Sequence, residues 1–247
     1  MNKLISTSKI LYVRAAIAKF AAPIKTEGGL LPFLKKYIDF DELFVPHFYG
    51  ARPFWRKPPL SWPPQTNSGA LGKLVRKLPG AVLSDHPTNA FVGIGYNVEQ
   101  SFAVHNATAP CFAPLEYLAN RHDFSMLLLG CLDESPGFST VHVAQQLLGL
   151  SQRHFLRLIL RWDIFSDGNL SSIMAPEAPG CSASFDKFYP HYEADGNLIR
   201  GEWYGERWIF IPSARRALNT EIRLLQSSGR FVECGRWDCL TCRLRLY

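Results

Sequence analysis

The sequence predicts an α/β protein with a mixed sheet, and three observations carry that reading. Short apolar runs bounded by Gly and Pro recur along the chain, as in residues 9–13, 43–46 and 126–129. Helix-forming segments separate them, as in residues 14–22, 67–78 and 214–226, the alternation that places helices on a sheet. Apolar residues make up 47% and charged residues 19% of the 247, the balance of a chain able to fill a core. The length suits one domain, taken as residues 1–247 with a cysteine-containing tail from about residue 230.

The elements follow in order. Residues 9–13 (KILYV) are β-branched and aromatic and form a first strand; residues 14–22 form a helix that ends before Pro23. After the Gly28-Gly29 turn, residues 30–37 form a short helix, and residues 43–46 a second strand stopped by Pro46. Residues 48–64 are rich in proline and aromatic rings, a loop of the length that usually covers or binds something. A helix over residues 67–78 leads to a strand at 81–84 and another at 91–95. Helices follow at 96–106 and from Pro114, where proline suits a first turn. Residues 153–162 (RHFLRLILRW) fit a helix or a strand equally, and residues 166–180 read as loop. Residues 185–197 read as helix, 202–211 as one strand and 214–226 as a final helix.

The stretch from Ser125 to Gln145 (SMLLLGCLDESPGFSTVHVAQ) holds the candidate chemistry. A buried strand ends at Gly130, a polar loop follows, and Ser139 or Thr140 caps a helix whose apolar stripe is Val141, Ala144 and Leu148. His142 then sits in the first turn of a helix that follows a buried strand, beside the strand's carboxyl end, where α/β sheets gather ligands. A helix N-terminus disfavours an imidazolium, so the ring there stays neutral and basic.

Charge narrows the partners. Lys and Arg total 27 against 21 Asp and Glu, a net charge of +6 that favours an anionic partner. The basic residues are scattered, apart from Arg230, Arg236, Arg243 and Arg245 near the end, so no nucleic-acid stripe is expected. No apolar run approaches the roughly 18 to 20 residues of a membrane span. The N-terminal segment carries Lys3 and an apolar centre, but Lys9, Arg14 and Lys19 interrupt it, so a cytoplasmic protein is expected rather than a secreted one. Reduced cysteines follow from that address. Cys234-x4-Cys239-x2-Cys242 is half of a zinc pattern that Cys181 would complete; reduced, metal-free cysteines are the expectation.

Several segments together resemble the aminoglycoside 3-N-acetyltransferase family. Ser84-Asp85-His86-Pro87-Thr88-Asn89-Ala90-Phe91 is similar to its Ser-x-His-Pro-Thr-x-Ser-Phe segment, and Ala113-Pro114-Leu115 to its Ser-Pro-Leu. Residues 127–130 followed by Phe138-Ser139-Thr140-Val141-His142-Val143-Ala144-Gln145 resemble its leucine-rich strand and its Asn-Thr-Ser-Leu-His-Leu-Ala-Glu helix start. The glycine segment at Asn67–Leu71 and the first strand fit as well, so the likeness runs from about residue 9 to 226.

The resemblance implies a three-layer α/β/α sandwich with a mixed central sheet, and transfer of acetyl from acetyl-CoA, as co-substrate, to an amino group of a sugar. It implies His142 as general base in a ternary complex, Ser139 supporting the tetrahedral intermediate, and His86 near the junction of thioester and amine. It also places Arg14, Ala15, Ala16, Ile17 and Ser84 on the acetyl-CoA side, with backbone N–H groups at 15–17 as donors to the pantetheine arm. Three departures stand out. Arg14-Ala15-Ala16 replaces His-Ser-Ser, Ala90 replaces a serine, and Gln145 replaces the glutamate after the base, leaving Asp85 or Asp133 to steady an imidazolium.

The partners expected are a small-molecule amino sugar and acetyl-CoA, with no nucleic acid and no membrane; a homodimer is left open. Basic and aromatic residues (Arg52, Arg56, Lys57, Trp55, Trp62, Trp203, Trp208) favour a nucleotide-linked amino sugar, as used in surface-polysaccharide biosynthesis. The alternatives are an aminoglycoside acetyltransferase that confers antibiotic resistance and a non-catalytic binding protein on the same fold.

Overall fold

Strand β1 (Ile10–Ala15) occupies the middle of the sheet, and its alternation explains the layering. Ile10 and Tyr12 point into one core; Leu11 and Val13 point into another on the opposite face. Burial on both faces is what a near-continuous apolar strand requires, and helices supply it on each side. The computed structural model describes residues 9–244. Lys3 of the N-terminal segment and Arg245 lie outside the described residues.

The other strands are β2 (Glu42–Pro46), β3 (Arg52–Pro53), β4 (Val82–Leu83), β5 (Phe91–Ile94), β6 (Phe124–Leu129), β7 (Leu160–Ser166), β8 (Asn169–Met174), β9 (Ile199–Trp203) and β10 (Glu206–Ile211). Seven form one sheet in the order β4-β5-β2-β1-β6-β10-β9. β1 runs parallel to β2 and to β6, while the outer pairs are antiparallel, so the sheet is mixed. β3, β7 and β8 form a separate three-stranded antiparallel sheet. The helices Ala113–Ala119, Thr140–Leu147 and Ala214–Ser227 cover one face; Leu30–Lys35 and Ala70–Arg76 cover the other. The result is the three-layer α/β/α sandwich with a mixed central sheet.

Local outcomes differ from the sequence reading in four places. Residues 14–22, expected as one helix ending before Pro23, hold the end of β1, a 3-10 turn at Ile17–Phe20 and the start of a helix at Ala21–Thr26, which carries Pro23 in its first turn, where proline is tolerated. Residues 153–162 are both elements in turn, a short helix at Leu156–Ile159 that runs straight into β7. Residues 166–180, read as loop, contain β8, all of it exposed and held by pairing with β7 rather than by burial. Residues 202–211, read as one strand, hold the end of β9, a tight turn and β10, which pairs back on β9. Tyr204 and Gly205 turn at φ +54° and +79°, the doubly left-handed geometry of a two-residue hairpin.

The small sheet holds the aromatic loop in place. Arg52 Nε and Nη2 donate to Asp163 Oδ2 and Oδ1 at 2.6 and 2.7 Å, and both side chains are largely withdrawn from solvent. Nη2 also donates to Ser172 Oγ at 2.8 Å, so one guanidinium links all three strands. Among the described residues, no helix is long and apolar enough to cross a membrane.

One buried carboxyl ties the helix of His142 to the last long helix. Glu221 Oε1 accepts from Thr140 Oγ1 at 2.7 Å and from the Tyr192 hydroxyl at 2.5 Å. Burial raises its pKa from 4.5 to about 8, against the lowering effect of those two hydrogen bonds. The folded state therefore keeps a proton that the unfolded chain loses, and stability falls as pH rises between those two values. Glu221→Gln keeps an acceptor and removes the titration. Thermal melts should show wild type losing stability from pH 5 to pH 8, with the variant flat and about 2 kcal/mol ahead at pH 8.

Candidate active site

The helix Thr140–Leu147 begins directly behind the loop that leaves β6, so its first turn lies at the carboxyl end of the parallel strands. His142 is half-buried there. Its ring stacks on Phe112 at 4.9 Å and 21°, and the Phe185 ring meets it edge-on at 4.9 Å. Its Nδ1 lies 3.0 Å from Gln145 Oε1, one helical turn on. An amide oxygen accepts, so Nδ1 carries the proton and Nε2 keeps its lone pair. Gln145 itself thus takes the place assigned to a carboxylate. Asp133 is paired with Arg207 at 2.5 Å, and Asp85 lines a separate cavity of about 250 Å³ beside Trp62.

The loop Cys131–Gly137 presses closely on Phe185. Gly137 has φ +92°, and a Cβ there would meet the Phe185 Cβ at 2.1 Å, so only glycine lets the two segments approach. Ser139 is buried, and its hydroxyl lies 2.9 Å from the Tyr12 hydroxyl. Burial pushes the Tyr12 phenol up to about 12, so the pair is a neutral clamp between β1 and the helix start.

Arg14 closes the end of β1. Its Nη1 donates to Gly137 O at 2.7 Å and its Nη2 to Ser135 Oγ, so it grips the loop before His142. With Ala15, Pro46, Phe48, Cys131, Glu134 and Ser135 it borders a cavity of about 430 Å³. A second cavity of about 300 Å³ shares Phe48 and Asn67 with the first and extends past Thr88, Asn89 and Trp162 to Glu177. The Phe48 ring meets Phe112 at 5.8 Å, and Phe112 carries His142. The two cavities therefore meet at Phe48, whose ring contacts lead through Phe112 to His142.

Three of the residues expected on the cofactor or junction side, Ala16, Ser84 and His86, have their polar groups committed elsewhere. Ala16 N–H donates to Leu129 O at 3.0 Å, extending the β1–β6 ladder, and the Ile17 side chain is buried in the core beneath helix Leu30–Lys35. Ser84 Oγ accepts from Phe91 N–H at 2.9 Å and lies 2.9 Å from His105 Nδ1. His86 is 1% exposed; its Nδ1 accepts from the N–H groups of Thr88 and Asn89 at 3.2 and 3.0 Å. It stacks on His105 at 4.7 Å with Trp162 edge-on, and burial together with His105 lowers its pKa to about 3. His86 is thus a neutral ring that builds the turn at Pro87–Asn89. A polar His-Pro-Thr segment in sequence does not distinguish this from an exposed histidine.

The aromatic residues read as a nucleotide platform are also largely spent. Trp203 stacks on Tyr37 at 4.2 Å and packs against Trp208, both tryptophans being buried in the core. Trp62 stacks on Phe165, and Arg52 is held by Asp163. Glu177 was not singled out in the sequence. It is 4% exposed, accepts from Cys111 N–H at 2.5 Å and Ser151 Oγ at 2.8 Å, and still borders the second cavity. Only the tertiary fold brings a carboxylate from residue 177 against residues 88–111.

Solved structures place this architecture among aminoglycoside acetyltransferases. The apoenzyme of aminoglycoside acetyltransferase AAC(3)-IVa superposes with a TM-score of 0.73 at 19% identity, over 96% of this chain and 91% of its own. AAC-IIIb in its binary complex with CoASH gives 0.66 at 17% identity, over 89% and 90%. YokD from Bacillus subtilis gives 0.70 at 17% identity, over 90% and 88%. In sequence, the aminoglycoside 3-N-acetyltransferase family profile matches residues 53–226. The chain belongs to the aminoglycoside 3-N-acetyltransferase family and is an acyltransferase of the N-acetyltransferase kind.

Proposed function

We propose that the protein transfers acetyl from acetyl-CoA to an amino group of a polycationic amino sugar of the aminoglycoside class. One observation supports this acceptor most strongly. The chain as a whole is basic, yet the cavity assigned to the acceptor is bordered, among the described residues, by Glu177 and by no Lys or Arg, Arg14 standing at the donor end. Arg14 is moreover turned toward Gly137 and Ser135. A carboxylate there attracts an ammonium group, and a lining without cations offers nothing to the phosphates of a nucleotide-linked sugar.

Acetyl-CoA supplies the acyl group when bound. The Arg14 end, about 430 Å³, has the size of a small-molecule site and suits the pantetheine arm; the Glu177 end takes the acceptor. His142 Nε2 removes the proton as the amine attacks the thioester carbonyl, and the C–S bond breaks to release the CoA thiolate. Gln145 holds the reactive tautomer, Ser139 anchors the helix start to Tyr12, and Phe112 and Phe185 fix the ring plane. In this reading His86 and Ser84 shape the site and do not touch substrate.

Gln145 also sets the pH response. An amide supports an imidazolium less than a carboxylate does, so Gln145→Glu should move the acid limb of the kcat/KM profile to higher pH. A profile unchanged by that substitution removes Gln145 from the account. The acceptor class is tested with gentamicin, sisomicin and apramycin beside UDP-linked amino sugars, reading the acetylated product by mass spectrometry. Acetylation confined to the nucleotide-linked sugars would overturn the aminoglycoside reading.

A further inference from the structure

The tail beyond Val232 is folded without a core. From Glu233 to Leu244 no side chain is buried, and Trp237 and Leu240 are 83% and 63% exposed. Apolar burial does not explain why this segment adopts one conformation. What it does have is four sulfurs in one place. Cys181, from the loop before Phe185, joins Cys234, Cys239 and Cys242, with all four Sγ atoms within 4.8 Å of one another.

We propose that these four cysteines form a structural zinc site that fastens the C-terminal tail to the loop preceding Phe185. The geometry is that of a metal cage rather than of disulfides. Cys234 and Cys242 sulfurs are 3.6 Å apart, far beyond an S–S bond of about 2.05 Å. A tetrahedral Zn²⁺ with Zn–S bonds of about 2.3 Å has edges of roughly 3.8 Å, close to that separation. Cys239-Leu240-Thr241-Cys242 supplies one knuckle, and Gly235, at φ +71°, turns the chain directly after Cys234. Backbone N–H groups point at the sulfurs, Ala183 to Cys181 at 3.4 Å and Cys234 to Cys242 at 3.5 Å, as thiolate ligands require.

Four thiolates around Zn²⁺ leave a net charge of −2. Lys187 donates to Glu233 O at 2.6 Å and Arg243 to Trp237 O at 3.1 Å, so cations already flank the segment. Binding exchanges thiol protons for the metal, with no change of oxidation state. An all-thiolate tetrahedral set suits zinc over harder cations. The site clamps two segments next to the proposed active site: Cys181 lies four residues before Phe185, and Thr241 borders the Glu177 cavity. The proposal itself stands independently of the acetyl-transfer reading.

Metal analysis of the full-length protein after dialysis against metal-free buffer tests the site. One zinc per chain is expected, and exchange for Co²⁺ should give thiolate charge-transfer absorption with tetrahedral d–d bands. Cys181→Ser and Cys242→Ser should lose zinc on the same dialysis. If either fails to fold, mercurial titration of the wild-type protein decides, because zinc should appear in step with modification of the four thiols. Iron in place of zinc, an octahedral cobalt spectrum, zinc release unrelated to thiol modification, or no zinc after reconstitution with equimolar Zn²⁺ would each overturn the assignment.

Discussion

Replacing His142 with alanine should lower kcat for acetyl transfer by about 100- to 10,000-fold, the usual contribution of a positioned general base. The expected pattern is selective. The KM for acetyl-CoA should change little, because Arg14, Ala15 and Cys131, and not His142, border the proposed donor cavity. Stopped assays of free thiol at varied acetyl-CoA read both features. A variant with wild-type kcat would remove His142 from the mechanism, whatever the fold.

Asp163→Ala should cost about 3 kcal/mol of stability, the scale for removing one partner of a withdrawn ion pair. The Arg52 guanidinium would keep its place between β3, β7 and β8 but lose two of its strong acceptor contacts. Because β3 is two residues long, this pair rather than the ladder holds the aromatic loop against β7. Urea unfolding should show the lower midpoint. The double variant Arg52→Met with Asp163→Leu should recover much of the loss, since it leaves no uncompensated charge. If Asp163→Ala unfolds at the wild-type midpoint, the loop is held by something other than this link.

The sequence was most legible where local pattern and tertiary need agree. β1, β2 and β6 are buried on both faces, so their apolar runs could not be confused with surface segments. The helix start at Ser139–Thr140 was likewise readable, because turn formers precede it and the apolar stripe follows. β8 was not legible: Asn-Leu-Ser-Ser-Ile-Met is exposed at all six positions, and only β7 makes it a strand. The β9–β10 turn was missed because Tyr204 adopts a left-handed conformation that β-strand propensity does not reveal.

Within the site, residue types were easier to find than their commitments. His142 stands in the first turn of the helix after β6 and Arg14 at the end of β1, while the Gln145 side chain is the imidazole's own partner. Strand pairing occupies the Ala16 N–H, a commitment that the sequence does not reveal. The tryptophans likewise looked available until Trp203 and Trp208 were seen packed against Tyr37 and each other. Glu177 is the converse case: a carboxylate without a motif, made significant only by the cavity it borders.

The central claim is that this fold transfers acetyl to an amine through His142. Initial rates of thiol release from acetyl-CoA, measured with and without gentamicin or sisomicin, test it most directly. The account predicts release that saturates with the aminoglycoside, matches N-acetylated product one for one, and nearly vanishes in His142→Ala. Thiol release that is the same with and without an amine, or absent across the whole panel of amino sugars, would contradict it.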